Sequence, residues 1–219
     1  MAAANGALRI YAVADLHGRP ERLELVRKTV EELRPDAVVA AGDLSNYRRA
    51  GLTAAALGDL SAPVLAVRGN TDFPRLERYI AARPGVESLD RRRIELGGFG
   101  FVGLSGTIPV PFDSRVRLWQ KPLFQALAPL VDRETVLVAH PPPFGTLDGV
   151  FGRFHAGCRR LAVFVVERRP RALICGHIHE SAGAAWLGET LVVNCSLGRS
   201  GRGALIEMTP GLRPRATML

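Results

Sequence analysis

The feature that most restricts the fold is a pattern that recurs down the chain: an apolar, largely β-branched run that stops at a residue able to bind a metal. LRIYAVA (8–14) stops at Asp15, DAVVAAG (36–42) at Asp43, PVLAVRG (63–69) at Asn70, TVLVA (135–139) at His140 and ALICG (172–176) at His177. Runs of this length without polar alternation read as strands buried on both faces. Between the first two, ERLELVRKTVEEL (21–33) places Leu23, Val26, Val30 and Leu33 three and four apart on one helical face, with charges opposite. Strand, helix and strand in this order make an α/β pattern with a largely buried sheet.

From about residue 86 the texture changes. RRRIELGG and FGFVGLSG (91–106) read as a hairpin, and AGAAWLG, TLVVNCS and GALIEM, all after His179, read as successive antiparallel strands, so a second sheet is expected. Residues 106–123, with three prolines, read as a loop leading into a helix at about 116–131, and HPPPFGTLDG (140–149) reads as another loop. No linker or repeat interrupts the 219 residues, so one domain is expected over 1–219, with 1–7 a flexible start.

With 47% hydrophobic and 23% charged residues, the chain is neither a disordered segment nor a fibrous repeat nor a coiled coil. No apolar run reaches the roughly 18 residues of a membrane span. The start, MAAANGALRI, has no basic region followed by a long apolar one. A cytoplasmic protein without a membrane partner is the expectation. Cys158, Cys175 and Cys195 are odd in number and lack CxxC spacing, which suits buried free thiols. The net charge of +8 comes from scattered arginines, with lysine only at 28 and 121. That balance favours phosphate-bearing ligands, and a nucleic-acid partner is not indicated.

The chemistry gathers at the strand ends, where open α/β sheets bind ligands. Four of the five histidines lie there, in the ordered set Asp15-x-His17, Gly42-Asp43, Gly69-Asn70, His140 and Gly176-His177-x-His179. The i, i+2 spacing aims two side chains to one side of an extended segment. A glycine before a ligand lets the chain turn where a Cβ would clash. A mixed nitrogen and oxygen set without thiolate suits Mn, Fe, Zn, Co or Ni, with manganese foremost. Seven ligands exceed what one such ion takes, so two divalent transition ions are expected, in the clamp about 3.5–4 Å wide that serves in-line displacement at phosphorus.

In this motif order, D-x-H, GD, GN, H and GH-x-H, the sequence resembles the calcineurin-like metallophosphoesterase superfamily over nearly its whole length. VADLHG, AGD, FVGLSG, HPPPFGTLD and CGHIHES look closest to small prokaryotic predicted phosphohydrolases related to cyclic AMP phosphodiesterase. The resemblance implies a four-layer αββα sandwich of two mixed sheets flanked by helices. It also implies that Asp15, His17 and His179 hold one metal, that Asn70, His140 and His177 hold the other, and that Asp43 bridges. A small phosphoester substrate, diester or monoester and of nucleotide type in one version, would be hydrolysed by a hydroxide bridging the ions, with Asp43, Asn70 and His140 at the reacting centre.

One departure stands out. Many members continue GN with a histidine regarded as the leaving-group acid, and here Thr71 follows, then Asp72. Thr71 cannot act as an acid near neutral pH, and Asp72 reads as a cap of the helix in FPRLERYIAA, with Pro74 at an early helical position. His155, in GRFHAGCRRLAVFVVER, resembles a histidine of the closest group. It is a candidate for contacting phosphate or donating the proton, the alternative being a surface or capping residue. Arg19, Asn46 and Arg68 lie near ligands, and Asn194 reads as a structural turn close to the site. Two rival functions remain at this level: a scaffold of the same fold with little turnover, which the absent histidine favours, and a nuclease, which the basic charge favours.

Overall fold

Side-chain alternation along the strands decides the layering. The computed structural model describes residues 7–46, 49–106, 117–152, 154–198 and 201–219, with only the backbone of 117–121. The first half runs β1 (Leu8–Val13), α1 (Pro20–Leu33), β2 (Ala37–Ala41), α2 (Ala50–Gly58), β3 (Val64–Val67), α3 (Arg75–Ala81), β4 (Val86–Ser88), β5 (Arg93–Leu96) and β6 (Phe99–Leu104). The second half runs α4 (Arg117–Leu127), β7 (Thr135–Ala139), β8 (Gly149–Val150), β9 (Phe154–His155), α5 (Arg159–Arg168), β10 (Ala172–Cys175), β11 (Gly183–Leu187), β12 (Thr190–Asn194), β13 (Ala204–Met208) and β14 (Arg215–Met218). Two six-stranded sheets result, ordered β14-β13-β1-β2-β3-β4 and β11-β12-β10-β7-β6-β5, with β8-β9 a separate hairpin. Their centres are parallel and their β13-β14, β11-β12 and β5-β6 margins antiparallel.

Ile10 and Ala12 of β1, Val39 and Ala41 of β2, and Val136 and Val138 of β7 share one buried cluster between the sheets. Their neighbours Tyr11, Val13, Val38 and Ala40 face Val26 and Val30 of α1 and Leu76 and Ile80 of α3. Leu137 and Ala139 face Leu161 and Val165 of α5. Helix, sheet, sheet, helix is the four-layer sandwich expected, and strands with helices on one face and a sheet on the other have no solvated side.

The helical face read between the first two strands holds: Val26 and Val30 are buried, with Leu23 and Leu33 packed against the same cluster. The 91–106 hairpin forms as β5-β6, its two-residue turn Gly97-Gly98 at φ 60° and 85° being the left-handed pair that matches strand twist. Of the strands after His179, β11 and β12 are antiparallel neighbours as read, but β13 is not the next in line. β12 pairs parallel with β10 on one side and antiparallel with β11 on the other, whereas β13 crosses to the other sheet and pairs with β1. β10 and β11 take both edges of β12, so β13 adds to the edge of β1 instead, where Ile206 and Met208 face the inter-sheet core. All three thiols are free and buried. The expected flexible start (1–7) lies almost wholly outside the described residues, as do 107–116 of the loop read at 106–123, whose last residues, from Arg117, belong to α4 instead.

Candidate metal centre

The strand ends of both sheets meet at one rim because their loops are laced together. Asp15 N–H donates to Gly42 O at 3.0 Å, His17 N–H to Asp43 O at 2.8 Å and Gly176 N–H to His140 O at 2.9 Å. Ala14 pairs across the sheets with Ser196. The glycines in this lacing are required, for two reasons. Gly42 has φ 94°. Gly69 and Gly176 have no positive φ; instead, a Cβ on Gly69 would lie 2.1 Å from Asp43 Oδ1, and one on Gly176 2.3 Å from the Ala14 Cβ. Asp15, His17, Asp43 and His177 hold φ between 52° and 71°, a conformation that costs a non-glycine residue roughly 1 kcal/mol or more and collects at functional sites.

All seven side chains expected at the site are brought together. Donor atoms of Asp15, His17 and His179 lie within 4.8 Å of one another, as do those of Asp15, Asp43 and His140. Asp43 turns Oδ1 toward His140 Nε2 at 3.4 Å and Oδ2 toward His17 Nδ1 at 4.0 Å, so its two oxygens face the two halves of the cluster. Asn70 Oδ1 lies 3.0 Å from His140 Nε2, and the His177 ring centre is 5.0 Å from that of His140. Asp15 Oδ2 accepts the His177 N–H at 3.0 Å, while Asp15 Oδ1 is buried without a hydrogen-bond partner. A buried carboxylate oxygen that takes no hydrogen bond but faces His179 Nε2 at 3.4 Å and His140 Nε2 at 4.0 Å fits a cation.

His140 is set for that role from across the sandwich, by β2 of the other sheet. Its Nδ1–H donates to Ala41 O at 3.0 Å, which leaves Nε2 facing the acids. Burial would push the Asp43 carboxyl up, but His140, the Thr71 N–H and His17 hold it at about 2. Burial acts likewise on Asp15, and His179 and His140 overcome it to lower the carboxyl. Burial keeps His17 and His177 below the ordinary imidazole value despite the two acids. Asp15 raises His179, and Asp43 overcomes burial to raise His140. Two buried, ionised acids and four imidazoles, running from the buried His140 to the exposed His179, can bind cations and, through them, phosphate oxygens.

Residues that hold the cluster were less legible. Asp72 does not cap a helix: Pro74 occupies the N-cap of α3, with no side-chain cap bond. The Asp72 carboxylate instead accepts from Leu44 N (2.9 Å), Ser45 N (2.7 Å), Ser45 Oγ (2.9 Å) and Gly69 N (3.0 Å), tying the loop of Asp43 to that of Asn70. Four converging donors at close quarters satisfy more of a buried carboxylate than one helix N-terminus could. The Arg22 guanidinium donates to Asp15 O and, at 2.6 Å, to Gly198 O, two residues with positive φ. Ser45 and Arg22 carry no sequence signal beyond nearness to a ligand.

His155 stands outside the cluster. It lies in β9, half exposed, against Asp148, and it is Cys158 that caps α5, accepting from Leu161 N; the capping reading of His155 is corrected. Arg68 pairs with Glu77 at 3.0 Å, Asn46 accepts from Arg49 N and Arg19 stands at the N-cap of α1. The buried Asn194 donates to Leu147 O and Ile178 O.

A family model described as calcineurin-like phosphoesterase matches residues 8–181. An uncharacterized protein of Methanocaldococcus jannaschii is 26% identical over 200 residues, which are 86% of this chain and 88% of that one. A cAMP/cGMP dual specificity phosphodiesterase of Mycobacterium tuberculosis is 29% identical over 195 residues, 84% of this chain and 60% of that longer protein. Among solved structures, one from Thermus thermophilus superposes with TM-score 0.72 at 18% identity, covering 97% of this chain and 99% of its own. A dimetal phosphatase from Danio rerio gives 0.64 at 14%, covering 96% and 98%. At such identities these two likenesses are of fold.

Proposed function

Since the chain belongs to the calcineurin-like phosphoesterase family, we propose that it is a phosphoester hydrolase dependent on two divalent metal ions, acting as one domain and favouring phosphodiesters of nucleotide type. The observation that carries this reading is the buried Asp15 Oδ1, without a hydrogen bond and 3.4 Å from His179 Nε2, at the junction of two three-residue donor groups. Asp15, His17 and His179 would hold one ion, Asn70, His140 and His177 the other, and Asp43, whose two oxygens face both halves, would serve both. Divalent ions bound there supply the charge that activates water and neutralises phosphoryl oxygens, with manganese the first ion to try. The protein's own part is orientation. The Ala41 carbonyl holds the His140 tautomer, the Thr71 N–H holds Asp43 Oδ1 at 2.8 Å, and Asp72 fixes the loops that carry Asp43 and Asn70.

The phosphodiester preference is supported by the Mycobacterium tuberculosis relative, of which this chain spans 60%. No helix among the described residues is long and apolar enough to cross a membrane, in keeping with a cytoplasmic enzyme acting on small molecules. One observation favours a scaffold instead: Thr71, which cannot act as an acid, at the rim of the cluster. Hydrolysis of bis(p-nitrophenyl) phosphate, measured with chelator and with added Mn²⁺, separates the two. Metal-dependent turnover supports the enzyme, and metal uptake without turnover supports the scaffold.

A further inference from the structure

Of the five histidines, four enter the cluster, and the fifth is held by a buried carboxylate of its own. His155 Nδ1 lies 2.7 Å from Asp148 Oδ1, with the imidazole side chain 53% exposed and the carboxylate 1%. Asp148 Oδ2 accepts the N–H groups of Gly145 and Gly157, each at 3.0 Å, so backbone on both sides fixes the acid. The ring also packs on Phe144 at 5.2 Å, and the Arg159 guanidinium covers Phe144 at 3.8 Å. A carboxylate oxygen accepts, so Nδ1 carries the hydrogen of this bond and Nε2 is the ring nitrogen that Asp148 leaves free.

The position in the fold is as specific as the pairing. The loop bearing this pair leaves directly from His140. Leu147 O accepts from Asn194 Nδ2, which also donates to Ile178 O, and Gly149 O accepts from Ser181 Oγ at 2.8 Å. The two neighbours of Asp148 are thereby pinned to the segment that presents His177 and His179. Thr71, by contrast, offers only a hydroxyl 3.5 Å from His17 Nδ1.

We propose that His155 gives the proton to the leaving-group oxygen and that Asp148 is its positioning residue, an inference that rests on the phosphoesterase reading above. As a water oxygen bonds to phosphorus, the bond from phosphorus to the leaving oxygen breaks and its electron pair stays on that oxygen. The oxygen takes the Nε2 proton and departs as an alcohol. The attacking water loses a proton to solvent, from which His155 is recharged.

The test is kcat/KM of the Mn²⁺-loaded protein on aryl and alkyl methyl phosphodiesters, for wild type, His155→Gln and Asp148→Asn. His155→Gln should lose about 10²-fold on alkyl esters, whose alkoxides need the proton, and little on p-nitrophenyl esters, which leave without it. A second readout needs neither metal nor turnover. Nitrogen NMR of the metal-free protein should show neutral His155 protonated at Nδ1 in wild type and at Nε2 in Asp148→Asn, whose carboxamide keeps its oxygen on the two glycines and donates to Nδ1. Equal loss across all esters, no loss at all, or a wild-type Nε2–H tautomer overturns the proposal. If wild type hydrolyses bis(p-nitrophenyl) phosphate and the slope is unchanged in His155→Gln, only this proposal falls. If wild type has no Mn²⁺-dependent turnover, the phosphoesterase reading falls and this one with it.

Discussion

Replacing Asp72 by asparagine changes one atom of a buried junction in which a carboxylate takes four donors, from Leu44, Ser45 (two) and Gly69. An asparagine accepts with one oxygen. If that oxygen serves Leu44 and Gly69, the new amide NH₂ faces Ser45, whose hydroxyl can accept from it but whose N–H then meets another donor. One stranded buried N–H costs about 1–3 kcal/mol, and two bonds to a neutral instead of a charged acceptor lose roughly 1 kcal/mol more, so about 3 kcal/mol is expected in all. Asp72→Ala leaves all four donors without their acceptor and should cost roughly 5 kcal/mol. For a chain of this size that is a fall in Tm of about 6–12 °C for asparagine and about 10–20 °C for alanine. Metal affinity should fall about 10–100-fold in both, because the loops bearing Asp43 and Asn70 lose their tie. The assays are thermal melts in chelator and Mn²⁺ titration by calorimetry. A helix-cap role would cost only about 1 kcal/mol and spare the metal. Tm shifts under ~4 °C with unchanged Mn²⁺ binding would therefore refute the junction.

Gly69→Ala should cost about 1–3 kcal/mol and weaken metal binding, because its Cβ would overlap Asp43 Oδ1; thermal melting and Mn²⁺ titration check it, and a neutral outcome denies the close approach. Asp43→Asn and His140→Ala should each abolish Mn²⁺-dependent turnover of bis(p-nitrophenyl) phosphate while keeping a cooperative melt, and elemental analysis should find Asp43→Asn the poorer in metal. Burial raises the thiol pKa of Cys158, Cys175 and Cys195, so at pH 8 all three should stay silent to a chromogenic disulfide reagent until guanidinium unfolds the chain. Fast reaction of the native protein would contradict that burial.

What the sequence made legible and what it hid have physical reasons. The candidate ligands could be found because each terminates an apolar run or lies two residues past its end, and the backbone of a parallel sheet delivers such ends to one rim. The sheet sandwich could be read because strands such as TVLVA are apolar on both faces. α2, AGLTAAALG, gave no signal, since a helix of alanine and glycine lacks a polar face to contrast with its buried one. β13 was assigned to the wrong neighbours because alternation tells which face is buried but not which sheet receives it. Asp72 was misread because an acid just before a helix is a cap by local rules, and only the folded loops bring Ser45 and Gly69 within reach. The left-handed Asp15, His17, Asp43 and His177 carry no local mark, as glycine alone advertises that conformation in sequence. Asp148 behind His155 is seven residues away across a hairpin, a pairing visible only once β8 and β9 form.

The central claim, a two-ion centre built by seven side chains from the rims of two sheets, meets its most direct test in crystals soaked with Mn²⁺ and measured at the manganese edge. Two anomalous peaks about 3.5–4 Å apart are expected, with Asp43 between them, Asp15, His17 and His179 around one and Asn70, His140 and His177 around the other. A single peak, or none at saturating Mn²⁺, would contradict the account.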